Sequence, residues 1–430
     1  MRDNLAWLIG DTLLVRDGES LIAYSPVKGK IARLSAHFLS EDDHRLLVDS
    51  GFCNPKPTTA RCDTEWKGFR SLTLLLTRQC NLQCVYCYAK AKSFGPSMPI
   101  ELAIDALDFY VRRLPRGHIR VCFHGGGEPS LEMGLIRSVV SRSDEIGAGK
   151  ETTFLITTNG TAPFSDYKWM MSRSFKISIS MDGPPDIQNR NRALVGGGKS
   201  SPIVEETVRS FVREGYPFTI RMSYSSDTSM TETLEYLARL GVRSVHLEPI
   251  FPYGRDYDTI DFGPRSVGPV APPSPKEMVQ KFLETMDTCE RLGIVIYNSH
   301  FMNLSSSSAY FCGLAAGRAM VVTHDGILTG CLEVVDGQDP DIEVFRCGSW
   351  NPSAHSFELD QEQLKRLRAR HADGLNPCSK CFARYTCAGG CAAKAVRQHR
   401  DFYQRDTPYC AFTRAVLLEV VKRIARASSV

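Results

Sequence analysis

Three cysteines stand at C-x-x-x-C-x-x-C spacing in the stretch Cys80-Asn81-Leu82-Gln83-Cys84-Val85-Tyr86-Cys87. The apolar run Leu72-Thr73-Leu74-Leu75-Leu76 comes just before it and reads as a buried strand. The cysteines therefore fall on a loop at the end of a strand, where α/β folds usually build their sites. Three thiolates on one tight loop can hold three irons of a cubane iron–sulfur cluster, which normally takes four cysteines. One iron then keeps an open position, by the logic that separates a catalytic zinc site from a closed structural one. The plain alternative is a zinc knuckle or a run of buried cysteines.

A second array begins at Cys312, with Gly326 and Cys331 after it, and continues through Cys378-x-x-Cys381, Cys387, Cys391 and Cys410. Cys-x-x-Cys is also a zinc pair, and four such cysteines make a zinc ribbon. Seven ligands at these spacings suit two iron–sulfur clusters better. Between the two arrays, polar and glycine-rich segments follow apolar runs. They are His124-Gly125-Gly126-Gly127-Glu128-Pro129, Thr158-Asn159-Gly160-Thr161, and Ser180-Met181-Asp182-Gly183-Pro184 with Gln188-Asn189-Arg190-Asn191-Arg192 after it. Glycine lets the backbone approach a ligand closely and offer it amides and carbonyls.

The Cys80–Cys87 stretch resembles the signature loop of the radical S-adenosylmethionine (radical SAM) superfamily, and the resemblance runs over about residues 70 to 410. It implies a 4Fe-4S cluster on Cys80, Cys84 and Cys87. The open iron would chelate the amino and carboxylate groups of S-adenosylmethionine, with Tyr86 on the cofactor side. Reductive cleavage would give a 5′-deoxyadenosyl radical that abstracts a hydrogen atom. Gly126, Gly127, Glu128 and Pro129 match the family segment that contacts the amino group of the cofactor's methionine part. Asn159 would bond ribose hydroxyls or belong to an ordinary turn. Ser180 would face the cofactor, and Arg192 matches the arginine that pairs with its carboxylate. Gln188-Asn189 stands where the family often has His-Asp, so Arg190 and Arg192 both stay open for that role. Arg221 and Glu248 end later strands and either point into the same mouth or form a structural ion pair.

From Cys312 onward the spacing is similar to that of the SPASM domain. The family arrangement implies an outer auxiliary cluster on Cys378, Cys381, Cys387 and Cys410, and an inner one on Cys312, Cys331 and Cys391. The fourth inner ligand is Cys347, or that iron is open to substrate. Cys122 in a strand and Cys289 in a helix read as core cysteines.

The elements that must position these residues alternate strand and helix. Strands are expected at 72–76, 119–123, 153–157, 175–180, 218–222 and 244–248, with helices such as 100–114 and 231–240 between them. Such alternation implies parallel strands with right-handed crossovers. The family resemblance implies an α/β fold with a partial (β/α)6 TIM-like barrel over 70–300. Residues 1–65 read as a small α+β module: a hairpin turning at Asp17-Gly18, a third strand from Ile31 and a helix capped by Ser40. This module resembles a truncated peptide-recognition domain of the winged-helix kind, or is a structural cap. Cys53 and Cys62 in the linker read as incidental. Residues 252–275, rich in Pro and Gly, form a lid or a linker. The cysteine-rich SPASM domain would span 305–411, with a hairpin at 320–328, and a helix would close the chain over 412–430.

Composition narrows the class. The 430 residues carry a net charge of +4, with 43% hydrophobic and 23% charged residues. This is the balance of a globular protein with no sign of nucleic-acid binding. No stretch approaches the roughly 20 apolar residues of a membrane span. The N-terminus shows no signal peptide, which points to the cytoplasm. There, 15 cysteines argue for metal or cluster ligation and against disulfides. The expected function is a radical SAM/SPASM peptide maturase. It would act on a precursor peptide with a leader, and a flavodoxin or ferredoxin would supply electrons. A sulfatase-maturating (formylglycine-generating) enzyme, a small-molecule oxidase and a non-catalytic cluster or zinc scaffold are the alternatives.

Overall fold

The computed structural model describes residues 6–9, 12–25, 30–35, 41–52, 68–114, 117–147, 150–251, 270–298, 308–314, 316–376, 378 and 381–427. Cys53, Cys62, the Ser40 cap and most of the 252–275 segment lie outside them. Ala6–Ile9 (β1), Thr12–Asp17 (β2), Ser20–Ser25 (β3) and Lys30–Ser35 (β4) form an antiparallel meander, followed by helix Glu41–Asp49 (α1). Gly18 takes φ 60° in the turn between β2 and β3, where a side chain would be strained. β1 carries no turn signal of its own and is an addition to the expected hairpin.

The next elements are Ser71–Leu75 (β5), Leu82–Cys84 (β6), Ile100–Arg112 (α2), Ile119–His124 (β7), Met133–Ile146 (α3), Thr152–Thr158 (β8), Phe164–Ser172 (α4), Lys176–Ser180 (β9) and Pro185–Asn191 (α5). Arg192–Leu194 (β10), Ser201–Arg213 (α6), Phe218–Tyr224 (β11), Met230–Arg239 (α7), Ser244–Pro249 (β12), Pro275–Leu292 (α8) and Val295–Tyr297 (β13) complete the run. Across the main sheet the order is β13-β12-β11-β9-β8-β7-β5, and each neighbouring pair is parallel. The order never reverses. Right-handed crossovers then put the connecting helices on one face of the sheet.

The sequence encodes the two faces by alternation. Val121 and Phe123, Ile177 and Ile179, Ile220 and Met222, and Val245 and Leu247 are buried in one large apolar core with helix residues such as Leu107, Val139, Val208 and Leu234. Cys122, His124, Ser178, Ser180, Arg221, Ser223, His246 and Glu248 alternate with them and are half-buried on the other face, which is free of these connecting helices. Cys122 is thus not a core cysteine: it stands on the polar face, because the alternation that buries Val121 and Phe123 turns it the other way. Cys289 in α8 is buried in the core, as expected. α8 starts on a capping box of Ser274 and Glu277 and stops at Gly293, which takes φ 64°.

The C-terminal part is Ala319–Val322 (β14), Ile327–Thr329 (β15), Ile342–Phe345 (α9), Arg346–Asn351 (β16), Ser356–Leu359 (β17), Gln361–Ala369 (α10), Arg384–Cys387 (α11), Ala392–His399 (α12) and Thr407–Ala427 (α13). The expected hairpin is β14–β15, but it does not stand alone. β14 pairs in parallel with β5, and β15, β16 and β17 extend the sheet antiparallel to eleven strands. α13 begins at Thr407, ahead of the expected 412, so Cys410 rides on its first turn. Leu417, Val421 and Ala425 of α13 pack on Leu13, Val15, Ile22 and Tyr24 of the N-terminal sheet, while Leu47 and Phe52 pack on the opposite face with Leu14, Leu21 and Ala23. No helix among the described residues is long and apolar enough to cross a membrane.

Candidate active site

The cysteine loop leaves β5 and is tied down on three sides. The Cys80 amide donates to the Lys92 carbonyl at 2.7 Å, and the Val85 amide to the Asn191 carbonyl at 2.9 Å. β6 pairs antiparallel with β10, which sets Cys84 opposite Arg192. The Leu82 amide lies 3.4 Å from the Cys80 sulfur and points a dipole at it. Burial, with the neighbouring thiols adding to it, pushes Cys80 well above the usual thiol range. Burial also pushes Cys84 up to about 12, against the pull of the Arg192 charge. Such thiols stay protonated in neutral water, so a metal centre must draw the protons off to make ligands of them.

The glycine turn lies against this loop. A Cβ on Gly127 would sit 2.0 Å from the Gln79 carbonyl oxygen, and one on Gly125 would sit 2.3 Å from the Gly127 oxygen. The Glu128 amide donates to that same Gln79 carbonyl at 2.8 Å. Tyr88 donates its hydroxyl to the Gly125 carbonyl at 2.9 Å. The Glu128 side chain is turned inward. It accepts from the Ser130 amide at 3.0 Å, the Thr158 hydroxyl at 2.7 Å and the Asn159 amide at 2.6 Å. Glu128 therefore fastens the turn to the end of β8, and burial raises its pKa against those donors. Gly127→Ala should destabilise the protein by about 1–3 kcal/mol or more, because the obstruction is backbone that cannot swing away. It should also cut the iron retained after reconstitution. Gly134→Ala, with nothing within 4 Å, is the control in melting and iron assays.

Asn159 sits where a ribose contact is expected, but its amide is already engaged. Its Nδ2 donates to the Asn81 Oδ1 at 2.8 Å and lies 3.9 Å from the Cys80 sulfur, and its Oδ1 accepts from Thr161. The centre of the next segment is Asp182, a residue whose importance the motif alone does not reveal. Asp182 is fully buried. Its Oδ1 takes the Arg192 guanidinium at 3.1 Å and the Ser223 amide at 3.0 Å. Its Oδ2 takes the Tyr86 hydroxyl and the Asn191 amide nitrogen. Arg192 also lies 5.2 Å over the Tyr86 ring. Arg190 instead pairs with Asp227 at the surface. Of the two arginines, the buried one beside Cys84 is Arg192. Ser180 ends β9 beside Arg221.

The later cysteines fall into two groups. Cys378, Cys381, Cys387 and Cys410 line one cavity with about 290 Å³ of non-atom space, partly open to solvent. Burial pushes the Cys331 and Cys391 thiols up, the Glu333 carboxylate adds to both, and Cys391 adds further to Cys331. Arg370 lies among Cys391, Cys312, Cys378 and Cys387 and is 1% exposed. It donates to four carbonyls, those of Phe402, Gly390, Gly389 and Gln404, and burial lowers its pKa. A buried cation bonded to neutral carbonyls calls for nearby anions; the buried Asp406 carboxylate feels its charge, and thiolate-bound clusters would add to that. Cys347 is buried in β16 with its thiol on the Leu328 carbonyl at 3.6 Å. Among the described residues no three Cys, His, Asp or Glu side chains close around a single metal ion.

The first cysteine loop touches the inner group. Cys87, Tyr88 and Ala89 pack with Leu314, Val321, Leu332 and Val335, from the segment bearing Cys312 and Cys331. Arg78 bonds Asp336 at 3.0 Å and the Gly126 carbonyl at 3.4 Å, joining three segments. On the face free of the connecting helices, α13 reaches in from the C-terminal part: Glu248 accepts the Tyr409 hydroxyl at 2.7 Å, and Tyr409 stacks on Phe251 with ring centroids 4.6 Å apart. Glu248 is thus bonded to α13 and makes no pair with Arg221. His124, which heads the glycine-rich segment but has no role in the motif reading, and His246, absent from it, share this face. The period-2 alternation of β7 and β12 is the signal that would have found them.

Comparison with known proteins gives this geometry a setting. Residues 74–240 match the model of the Radical SAM superfamily. The AdoMet-dependent heme synthase of Methanosarcina barkeri is 23% identical over 356 residues, covering 78% of this chain and 95% of that protein. The cysteine-type anaerobic sulfatase-maturating enzyme of Clostridium perfringens is 28% identical over 169 residues, 35% of this chain and 42% of that one. In fold, native anSMEcpe with bound AdoMet matches with a TM-score of 0.64 at 19% identity, over 83% of this chain and 99% of the other. SuiB of Streptococcus suis bound to precursor peptide SuiA matches with a TM-score of 0.56 at 12% identity, over 94% and 99%.

Proposed function

We propose that the chain, whose residues 74–240 match the Radical SAM superfamily, is an enzyme of that superfamily that oxidises a ribosomally made peptide. The observation that carries the reading is the packing of Cys87 and Tyr88 against the segment bearing Cys312 and Cys331. A radical generator beside a second thiol group has somewhere to send the electron left on its substrate. We read the six units from β5 to β12 as a partial (β/α)6 barrel, with the face free of the connecting helices as its hollow. Residues 305–411 are read as the SPASM domain, and the N-terminal meander as a site for the leader or a cap.

A 4Fe-4S cluster on Cys80, Cys84 and Cys87, with S-adenosylmethionine bound, would supply a 5′-deoxyadenosyl radical. The chain's residues have separate tasks around it. The backbone of Gly126 and Gly127, whose missing Cβ atoms let the turn close on the backbone of Thr77 and Gln79, would meet the cofactor's amino group. Glu128 and Asn159 hold the glycine turn and the cysteine loop in register. Asp182 fixes Tyr86 and Arg192 beside Cys84, and Ser180 faces the same space. Cys378, Cys381, Cys387 and Cys410 would hold an outer auxiliary cluster, and Cys312, Cys331 and Cys391 an inner one whose fourth position is taken by Cys347 or open. The bond finally made is an oxidative crosslink or a related modification, with a flavodoxin or ferredoxin as electron donor.

A sulfatase-maturating activity is the second reading, favoured by the higher TM-score of anSMEcpe. The first is favoured by SuiB, which matches over 94% of this chain, against 83% for anSMEcpe. Fragmentation of the product separates them: a formylglycine is confined to one residue, whereas a crosslink ties two. The underlying test is an anaerobically reconstituted sample given S-adenosylmethionine and a strong reductant. It should form 5′-deoxyadenosine and hold iron near twelve per chain, for three clusters of four. No 5′-deoxyadenosine would leave only a scaffold, and iron near four with zinc present would replace the auxiliary clusters by a zinc ribbon.

A further inference from the structure

The face free of the connecting helices carries a charged group that the chemistry above leaves unused. Arg221 sits in β11 between Ser180 of β9 and His246 of β12 in register. Neighbouring strands lie about 4.8 Å apart, so these side chains share one patch. Arg221 is half-buried, and among the described residues it forms no ion pair. The acids that end the adjoining strands make no pair with Arg221: Asp182 holds Arg192 and Tyr86, and Glu248 holds the Tyr409 hydroxyl and lies 3.8 Å from the His246 ring.

His124 belongs to the same electrostatic patch, and its Nδ1 is buried without a hydrogen-bond partner. Burial first, and then the Arg221 charge, push His124 down to about 4. His246 is pushed to about 4 by the same two causes, against the opposing charge of Glu248. Both rings are therefore neutral at neutral pH, and Arg221 is the positive charge of the patch. A cation withdrawn from water without an anion is costly. A guanidinium fork matches the two oxygens of a carboxylate. One positive charge balances one negative charge, whereas a di- or triphosphate would call for several cations.

We propose that Arg221 anchors a carboxylate of the peptide substrate, an acidic side chain or the chain terminus. This rests on the peptide reading given above. It makes Arg221 a specificity-determining residue: the radical would meet a peptide whose register is set by its negative charge.

The test uses the wild-type reconstituted holoenzyme and phenylglyoxal, an arginine-selective reagent, with adducts on the Arg221 peptide measured by mass spectrometry. N-acetylglutamate amide serves as probe and N-acetylglutamine amide as its uncharged isostere. Arg221 should react in the free holoenzyme. The glutamate probe should slow the reaction about tenfold when present at about ten times its Kd, by simple occupancy. The glutamine isostere should not slow it. Equal protection by the two probes overturns the proposal, as does failure of Arg221 to react at all. Full protection by S-adenosylmethionine alone also overturns it, because the anchored carboxylate is then the cofactor's. Formation of 5′-deoxyadenosine by the same preparation reports on the radical reading separately, so the two can fail independently.

Discussion

In the reconstituted enzyme, Cys84→Ala should lower 5′-deoxyadenosine formation by roughly 10³-fold or more, about 4 kcal/mol in barrier height. Cys84 is the middle thiol of the loop, and the β6–β10 ladder sets it opposite Arg192. Alanine cannot ligate iron. Two remaining thiols cannot hold a cubane whose fourth iron is open already, so iron should fall by about four per chain. Cys289→Ala, in the apolar core beneath α8, removes a thiol without touching the loop. It should keep both iron and activity at a modest cost in stability. Undiminished 5′-deoxyadenosine from the Cys84 variant would remove the basis for assigning the loop any role in radical formation.

The second large effect is expected at Asp182. Asp182→Ala leaves the Arg192 guanidinium 8% exposed and without its carboxylate. Breaking a buried pair from one side typically costs about 3–5 kcal/mol. The Ser223 amide, the Tyr86 hydroxyl and the Asn191 side chain lose their acceptor as well. The change should therefore lower the denaturation midpoint and loosen the segment opposite Cys84, which the iron assay would register as poor retention. A double variant, Asp182→Asn with Arg192→Met, removes both charges and should recover part of the loss, since the two positions are coupled. If Asp182→Ala melts with the wild type, the network is decoration and the cysteine loop must be held by its backbone contacts alone.

Local patterns were legible and long-range ones were not. The cysteine loop, the Gly126-Gly127-Glu128 turn and the strand–helix alternation lie within short windows, where spacing and periodicity speak for themselves. Asp182 gathers donors from residues 86, 191, 192 and 223, with its tie to Tyr86 spanning 96 positions. No window of sequence shows that convergence. β6 and β10 have three residues each, too few for a period to register. Cys122 is a different case: the alternation of Val121 and Phe123 around it was available, and it points the thiol to the polar face. The grouping of Cys378, Cys381, Cys387 and Cys410 about one cavity depends on α13 returning to the array, which spacing alone does not dictate.

The pairing of β14 with β5 has a consequence for how such a chain can be inherited. β5 sits inside the sheet only because Ala319–Val322 cover its outer edge, from Ser71 to Leu74. Stripped of that cover, a flat apolar strand would present unpaired amides and carbonyls to any other chain, the usual beginning of self-association. The segment that carries the later cysteines is therefore also a plug for the half that carries the first three. A lineage could not shed or trade that C-terminal end as a cassette without first evolving another way to close that edge.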